Sequence, residues 1–271
     1  PNSNVTSTLK QASSIIILSP TRFFPSESAN LFPFKVLLLQ RNNRTRFMRN
    51  AFVFPGGVLD ERNDSNADFW NNGEQESSSL PEDWPHRICA IRETFEESGL
   101  CLTEPRLSSS WRKKVHNDAT MLHEAVQLQN ARLLFERLRP FQRWVTPKQE
   151  SRRYDTRFYV TQIQSEEEMR EIEHDQVEMV NLAWVSPPHA LEAAKEYALP
   201  PPTWMILREL NHIGHMMKGV PSEAWLDTYF SGDHFGQPFE PTLDLDIQQD
   251  GTKQLRQVLL GEGRGRIVHI G

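Results

Sequence analysis

Glu93, Glu96 and Glu97 fall within the run RETFEESGL at residues 92 to 100, and three carboxylates in little more than one helical turn either face water or seat a cation. On a helix Glu93 and Glu97 share nearly one face and Glu96 adjoins both. The like-charge pair at i, i+4 costs roughly 0.2–0.5 kcal/mol, which something must offset. Oxygen donors without His or Cys among them suit Mg²⁺ or Mn²⁺ better than zinc, and Mg²⁺ commonly shares its shell with substrate phosphates. Arg92 projects from the same turn, where it can pair with carboxylates and brace the helix. Taken alone, the run fits a solvated acidic face equally well, so its surroundings must decide.

The positioning elements are legible around it. Ile88, Ile91 and Phe95 form an apolar stripe at i, i+3, i+7, Asp83 stands at the N-cap with Pro85 in the first turn, and Gly99 supplies the stop. Residues 61 to 82 are rich in Asn and Ser with no apolar period and read as an inserted loop. Before them a short strand in AFVFPGGVLD stops at Pro55, Gly56 and Gly57, where two glycines allow a sharp turn and close approach to a ligand. Arg41, Arg44, Arg46 and Arg49 precede that strand and offer guanidinium groups to phosphates.

Stepping outward, SSIIILS (13 to 19) and FKVLLLQ (34 to 40) read as buried strands. FQRWVTP, RRYDTRFYVTQI and VNLAWVS continue the strand pattern, with Tyr154, Thr156, Phe158 and Val160 alternating against polar neighbours. Residues 107 to 139 read as helical in pieces, their Leu122, Val126, Leu133, Leu134 and Leu138 facing a core; PPHALEAAKEYA and PTWMILRELNHIGHMM read as two further helices. Strands and helices interleave, so the expected class is α/β or α+β. Gly261, Gly263 and Gly265 precede no helix start and read as a hairpin turn; His212 and His215 lack further ligands and read as surface or packing residues; Asp155 reads as a strand brace.

A chain of 271 residues with 38% hydrophobic content can bury a full core, and a net charge of −6 argues against salt-driven attachment to nucleic acid. Cys89 and Cys101 make neither a disulfide framework nor a zinc spacing. No run of about 18 apolar residues suggests a membrane span, and the first residues lack a signal-peptide pattern, so the expected location is intracellular.

The strand ending in FPGG, followed by a loop and a helix bearing Arg92-Glu93, Glu96-Glu97 and Gly99-Leu100, resembles the box of the Nudix hydrolase family. That box runs glycine, five residues, Glu, seven residues, Arg-Glu, an apolar residue, any residue, Glu-Glu, any residue, glycine, apolar; Thr94 occupies the first apolar place. LLLQRNNRTRFMRNAFVFPGG is similar to the segment marking the coenzyme A diphosphatase branch, with Arg41, Arg46, Phe54, Pro55, Gly56 and Gly57 in register and Asn50 where that branch has glycine. LPEDWPHRICAIRETFEESG, WVTP with RRYDTRFYV, and LPPPTW extend the resemblance over residues 13 to 210.

The resemblance implies an α/β/α sandwich around a mixed sheet. It implies a Nudix domain over residues 10–218, with inserts near 61–82 and 104–140, and an extension at 219–271 packed on the same domain. It further implies Mg²⁺ or Mn²⁺ on Glu93, Glu96 and Glu97, with Arg92 beside them in the catalytic set, and Arg41, Arg46, Phe54, Gly56 and Gly57 against the substrate. The implied reaction cleaves coenzyme A or acyl-CoA to 3′,5′-adenosine bisphosphate and a 4′-phosphopantetheine product. NADH, ADP-ribose or an RNA cap are alternative substrates, and a catalytically degenerate nucleotide-binding module is the alternative of another class. The general base is either Glu93 or an acid between residues 166 and 175. A small-molecule partner is expected, without membrane or nucleic acid and with oligomeric state open. The implied compartment is the peroxisome, although the terminal VHIG is no Ser-Lys-Leu address. One departure stands out: the box glutamate should fall at residue 63, which is Asn63, and about 21 extra residues separate Gly57 from Arg92. Asp60, Glu61, Asp64, Glu82 and Asp83 are the acids that could stand in for it.

Overall fold

Ile15, Ile16, Ile17 and Leu18 are consecutive and all fully buried, which a strand achieves only when both faces of its sheet are covered. The structure, a computed structural model, describes residues 8–24, 32–43, 48–70, 80–217, 222–230, 237–247, 253–259 and 266–269. In chain order the elements are β1 (Leu9–Pro20), β2 (Phe34–Arg41), β3 (Phe52–Val53), β4 (Gly56–Val58), α1 (Ala67–Trp70) and α2 (Trp84–Ser98). Then come β5 (Thr103–Glu104), α3 (Arg112–Asn117), α4 (Met121–Leu128), β6 (Arg132–Leu133), β7 (Arg139–Val145), β8 (Arg153–Gln162), α5 (Glu166–Glu171) and β9 (Met179–Val185). The chain continues through α6 (Pro187–Glu192), α7 (Ala194–Tyr197), α8 (Pro201–Met216), α9 (Glu223–Tyr229), β10 (Thr242–Ile247), β11 (Lys253–Leu259) and β12 (Arg266–His269).

β1 begins four residues before the apolar run because its first half is needed for pairing. It runs parallel to β8 from Leu9 opposite Arg153 to Leu18 opposite Gln162, and β7 lies antiparallel outside β8. The other edge of β1 is divided. Ala12 to Ser14 pair with Val58 to Gly56 of β4, whereas Leu18 to Pro20 pair with Val36 to Phe34 of β2. Between these partners the Ile15 N–H donates to Pro55 O at 2.9 Å, so the FPGG turn is stitched into the middle of the sheet. β3 and β9 pair with β2, completing a mixed seven-stranded sheet.

Alternation along the strands builds two cores. Ile15, Ile17, Leu37 and Leu39 meet Ile88, Ile91 and Phe95 of α2 and Leu122 and Val126 of α4. Ile16, Leu18, Val36 and Leu38 meet Ile206, Leu207 and Leu210 of α8 and Leu226 of α9. The result is the expected α/β/α sandwich.

Several local expectations need correction. Asp83 occupies the N-cap position of α2, but its side chain makes no capping bond; it accepts instead from Arg87 Nε at 2.7 Å and Tyr159 OH at 2.8 Å. The segment 61–82 is not wholly loop, since it carries α1. PPHALEAAKEYA is two short helices, because Ala193 leaves helical geometry between them (φ −90°, ψ 25°). β11 and β12 pair antiparallel, with Leu259 opposite Arg266, as a hairpin around the glycine run requires; Gly261, Gly263 and Gly265 themselves lie outside the described residues. Among the described residues no helix is long and apolar enough to cross a membrane.

Candidate carboxylate site

α2 is buried on nearly every side. Its core face carries Ile88, Ile91 and Phe95, yet Glu96 and Glu97 on the other side are only 7% and 4% exposed, so the acidic face is not a solvated one. The loop after α5 crosses the C-terminal end of this helix: Glu173 N–H donates to Ser98 O at 3.0 Å. Arg112 of α3 donates to both Glu96 O and Glu173 O, at 2.9 and 2.7 Å. Gly99 ends the helix in the left-handed conformation, φ 76°.

The FPGG turn closes the remaining side. Gly56 N–H donates to Glu97 Oε2 at 2.9 Å. At Gly57 a Cβ would sit 2.4 Å from Glu93 Oε1, so only glycine lets that carboxylate lie against the turn. Gly57→Ala is therefore expected to fold, since the far end of a flexible side chain can swing away, but to displace Glu93. Thermal melting and turnover of one preparation should show stability nearly kept and activity lost by about tenfold or more.

Arg92 ties the acids together. Its Nε and Nη2 donate to the two Asp64 oxygens at 2.9 and 2.8 Å, its Nη1 reaches Glu96 Oε1 at 2.8 Å and Glu93 Oε1 at 2.9 Å, and Nη2 also donates to Val58 O at 3.1 Å. Asp64, completely buried, is thus the acid that takes the arginine next to the vacant glutamate position. Asp60 pairs with exposed Arg62, Glu61 and Glu82 are exposed, and Asp83 is engaged as above.

Burial, then the neighbouring Glu93 charge, pushes the Glu96 carboxyl up to about 8 against the partial relief of Arg92. Burial likewise raises Glu93, and it raises Glu97 well above the usual range despite the Gly56 N–H. Three acids, Asp64, Glu93 and Glu96, therefore share one guanidinium in contact with Glu97 buried beside them, and the cost of ionising them together is one that a divalent cation would offset. The donor set fits Mg²⁺ or Mn²⁺ in chemistry. Among the described residues no three acidic, His or Cys side chains yet converge as ligands on one point, because Arg92 and the Gly56 N–H hold the carboxylates.

The profile of the NUDT19 Nudix domain family matches residues 9–72 and 62–210. The chain belongs to that family. Among relatives of this NUDT19-type Nudix chain, the acyl-coenzyme A diphosphatase NUDT19 of Xenopus laevis is 27% identical over 72% of this chain and 64% of its own length. The Homo sapiens protein of the same name is 29% identical over 76% and 69%. The chain thus spans about two thirds of the length of these relatives. A NUDIX hydrolase from Alicyclobacillus acidocaldarius superposes with a TM-score of 0.61 at 20% identity, covering 80% of this chain and all of that one, which shows a common fold.

The other expected site residues of this Nudix chain are distributed unevenly. Arg41, at the end of β2, lies near enough to Glu97 to favour its charged form, and its Nε is buried without a hydrogen bond. Arg46 and Arg44 lie outside the described residues. Phe54 is a correction: its side chain is 4% exposed and packs edge-on against Phe158 in the core, so it supports the turn from behind and does not face a ligand. His212 and His215 are exposed, His215 lying edge-on to Phe32. Asp155 takes Arg143 in a two-point pair at 2.8 and 2.7 Å, bracing β7 to β8.

Of the acids considered as a base between residues 166 and 175, Glu168 pairs with Arg137, Glu171 with Arg106 and Glu173 with Arg112, and Asp175 accepts the N–H groups of Val177, Glu178 and Met179. Glu178, just beyond that range, was missed. It is exposed, its carbonyl accepts Asn42 N–H at 2.8 Å beside Arg41, and its charge raises both Glu93 and Glu97.

Proposed function

We propose that this chain is a Mg²⁺- or Mn²⁺-dependent hydrolase of diphosphate bonds that cleaves coenzyme A and its acyl esters to 3′,5′-adenosine bisphosphate and (acyl-)4′-phosphopantetheine. The observation that carries the reading is the buried acid helix pinned over the Gly56–Gly57 turn by Arg92 and Asp64. The Xenopus laevis and Homo sapiens relatives, both acyl-coenzyme A diphosphatases, support the substrate class.

Glu93, Glu96 and Glu97 are the side chains that would hold the cation. When bound, it supplies positive charge against the diphosphate oxygens and acidifies water. Arg41 presents its guanidinium edge to a phosphate at the same end of the sheet. Gly56 and Gly57, lacking side chains, let backbone approach the diphosphate closely. Glu178, the residue before β9, lies near enough to raise Glu93 and Glu97 and accepts the proton of the attacking water. A phosphorus–oxygen bond forms to that water as the anhydride bond breaks and its oxygen leaves with the second phosphate.

The test is product analysis from coenzyme A with and without Mg²⁺ in heavy-oxygen water, beside NADH, ADP-ribose and capped RNA at equal concentration. Label in one of the two coenzyme A products, only with the metal, is the expected result; substrate binding without cleavage would overturn it in favour of a binding module. In the same assay Glu178→Gln should lower kcat by about 10²-fold with KM nearly unchanged, and an unaltered kcat would remove Glu178 from the reaction.

A further inference from the structure

Up to Trp70, the insert that displaces the box glutamate is tied down. Trp70 Nε1–H, at the end of α1, donates to Asn63 O at 2.7 Å. Asn63 Nδ2 donates to Asp64 Oδ1 at 2.8 Å, and Asp60 N–H to Asp64 Oδ2 at 2.8 Å. The same end of α1 lies on α4, which belongs to the second inserted segment: the Phe69 ring stacks on His123 at 4.3 Å and 10°, and Trp70 meets the same imidazole edge-on at 5.3 Å. Burial lowers the His123 imidazole below its usual value, and its Nε2 is buried without a partner. That is the environment of a ring used for packing, not for proton transfer.

We infer that His123 is a latch: by clamping Phe69 and Trp70 it holds Asp64 on Arg92, so that only Nη1 of the guanidinium falls to Glu93 and Glu96 and their remaining oxygens are left to a divalent cation. A guanidinium has donors enough for several carboxylates, and whichever oxygens it takes are withdrawn from a cation. With Asp64 in place, two of the three nitrogens of Arg92 are committed to it. Without Asp64 the whole group turns on Glu93 and Glu96. In a box of ordinary length the connection to α2 is short and positions its own acid. Here a longer segment intervenes, and the contact between the two inserts restores the tie. His123 reaches no reacting atom and acts only through Asp64, so it is a positioning residue.

The inference rests on the proposed metal-dependent reaction, and its test separates the two. On the full chain, three quantities are measured: hydrogen exchange across residues 60–70, Mn²⁺ affinity by electron paramagnetic resonance, and kcat and KM for coenzyme A. His123→Ala should speed exchange in that segment, weaken Mn²⁺ about tenfold and lower kcat about tenfold, with KM nearly constant. Asp64→Asn should move the metal affinity and kcat the same way, and the double variant should be no worse than Asp64→Asn alone, since both act on one link. His123→Phe, which keeps a stacking ring, should recover most of the loss. Exchange as in the wild type, additive effects in the double variant, or His123→Phe as impaired as His123→Ala would each overturn the latch. Wild-type protein that neither binds Mn²⁺ nor cleaves coenzyme A would instead remove the proposed function, and the exchange data would still decide whether His123 holds the turn.

Discussion

Glu97→Gln is expected to leave a protein at least as stable as the wild type without metal, yet with kcat lowered by about 10²–10³-fold. The amide oxygen can still accept the Gly56 N–H that now binds Oε2 at 2.9 Å, so the tie between helix and turn survives. What disappears is a buried carboxylate held far above its usual pKa by burial and by Glu93. Removing a buried carboxyl that must hold a proton to stay folded relieves the folded state. Metal-free melting temperature should therefore hold or rise, while the increase on adding Mg²⁺ shrinks sharply. A variant that loses stability and activity together would instead mean that Glu97 is a structural residue, and the cation seat would have to be sought elsewhere.

The asymmetry between what the chain's letters reveal and what they hide has local causes. α2 was readable from end to end because Ile88, Ile91 and Phe95 keep helical spacing and Gly99 needs the left-handed conformation it adopts. The two-core sheet was readable because Ile15 to Leu18 admit no other placement than a strand covered on both sides. Hidden were the features fixed by partners far along the chain. Whether Glu96 and Glu97 faced water depended on Arg112 and Glu173, which close over the helix from outside it. The acid that pairs with Arg92 lies one position from Asn63, but an insert erases register, and several nearby acids are equivalent in the sequence until the fold brings Asp64 to that guanidinium. Glu178 was invisible because nothing in its own neighbourhood says that β9 pairs with the strand ending in Arg41, with a register shift at Gln40 and Arg41. Asp83 shows the converse error: a strong N-cap preference was overridden by the buried Arg87 and Tyr159 that claim its oxygens.

Metal-free stability should fall steeply as pH rises from 6.5 to 8, and Mg²⁺ should abolish that fall. Glu96 is raised from 4.5 to about 8 in the folded chain. Between these values the unfolded chain has released the proton and the folded chain still holds it, so stability declines as pH rises until the folded group also ionises. From pH 6.5 to 8 that one carboxyl costs about 2 kcal/mol, at 1.36 kcal/mol per pH unit, and Glu97, raised further still, adds in the same direction. Acid behaves oppositely through His86, whose imidazole is lowered from 6.5 to about 4, chiefly by burial and then by Arg157. Below pH 6.5 the unfolded chain takes up that proton before the folded one does, so His86 offsets the slope of Glu96 and the curve flattens between pH 6.5 and about 4.5. Urea melts at half-unit intervals from pH 5 to 8.5 in chelator would trace the steepening above pH 6.5. Repeated with Mg²⁺ at about a hundred times its dissociation constant, they should gain roughly 2.7 kcal/mol at pH 8. The gain should be much smaller at pH 5.5, where protons compete for the same oxygens. A Mg²⁺ increment independent of pH would mean that the ion binds away from Glu93, Glu96 and Glu97, since no cation can displace protons from groups it does not touch.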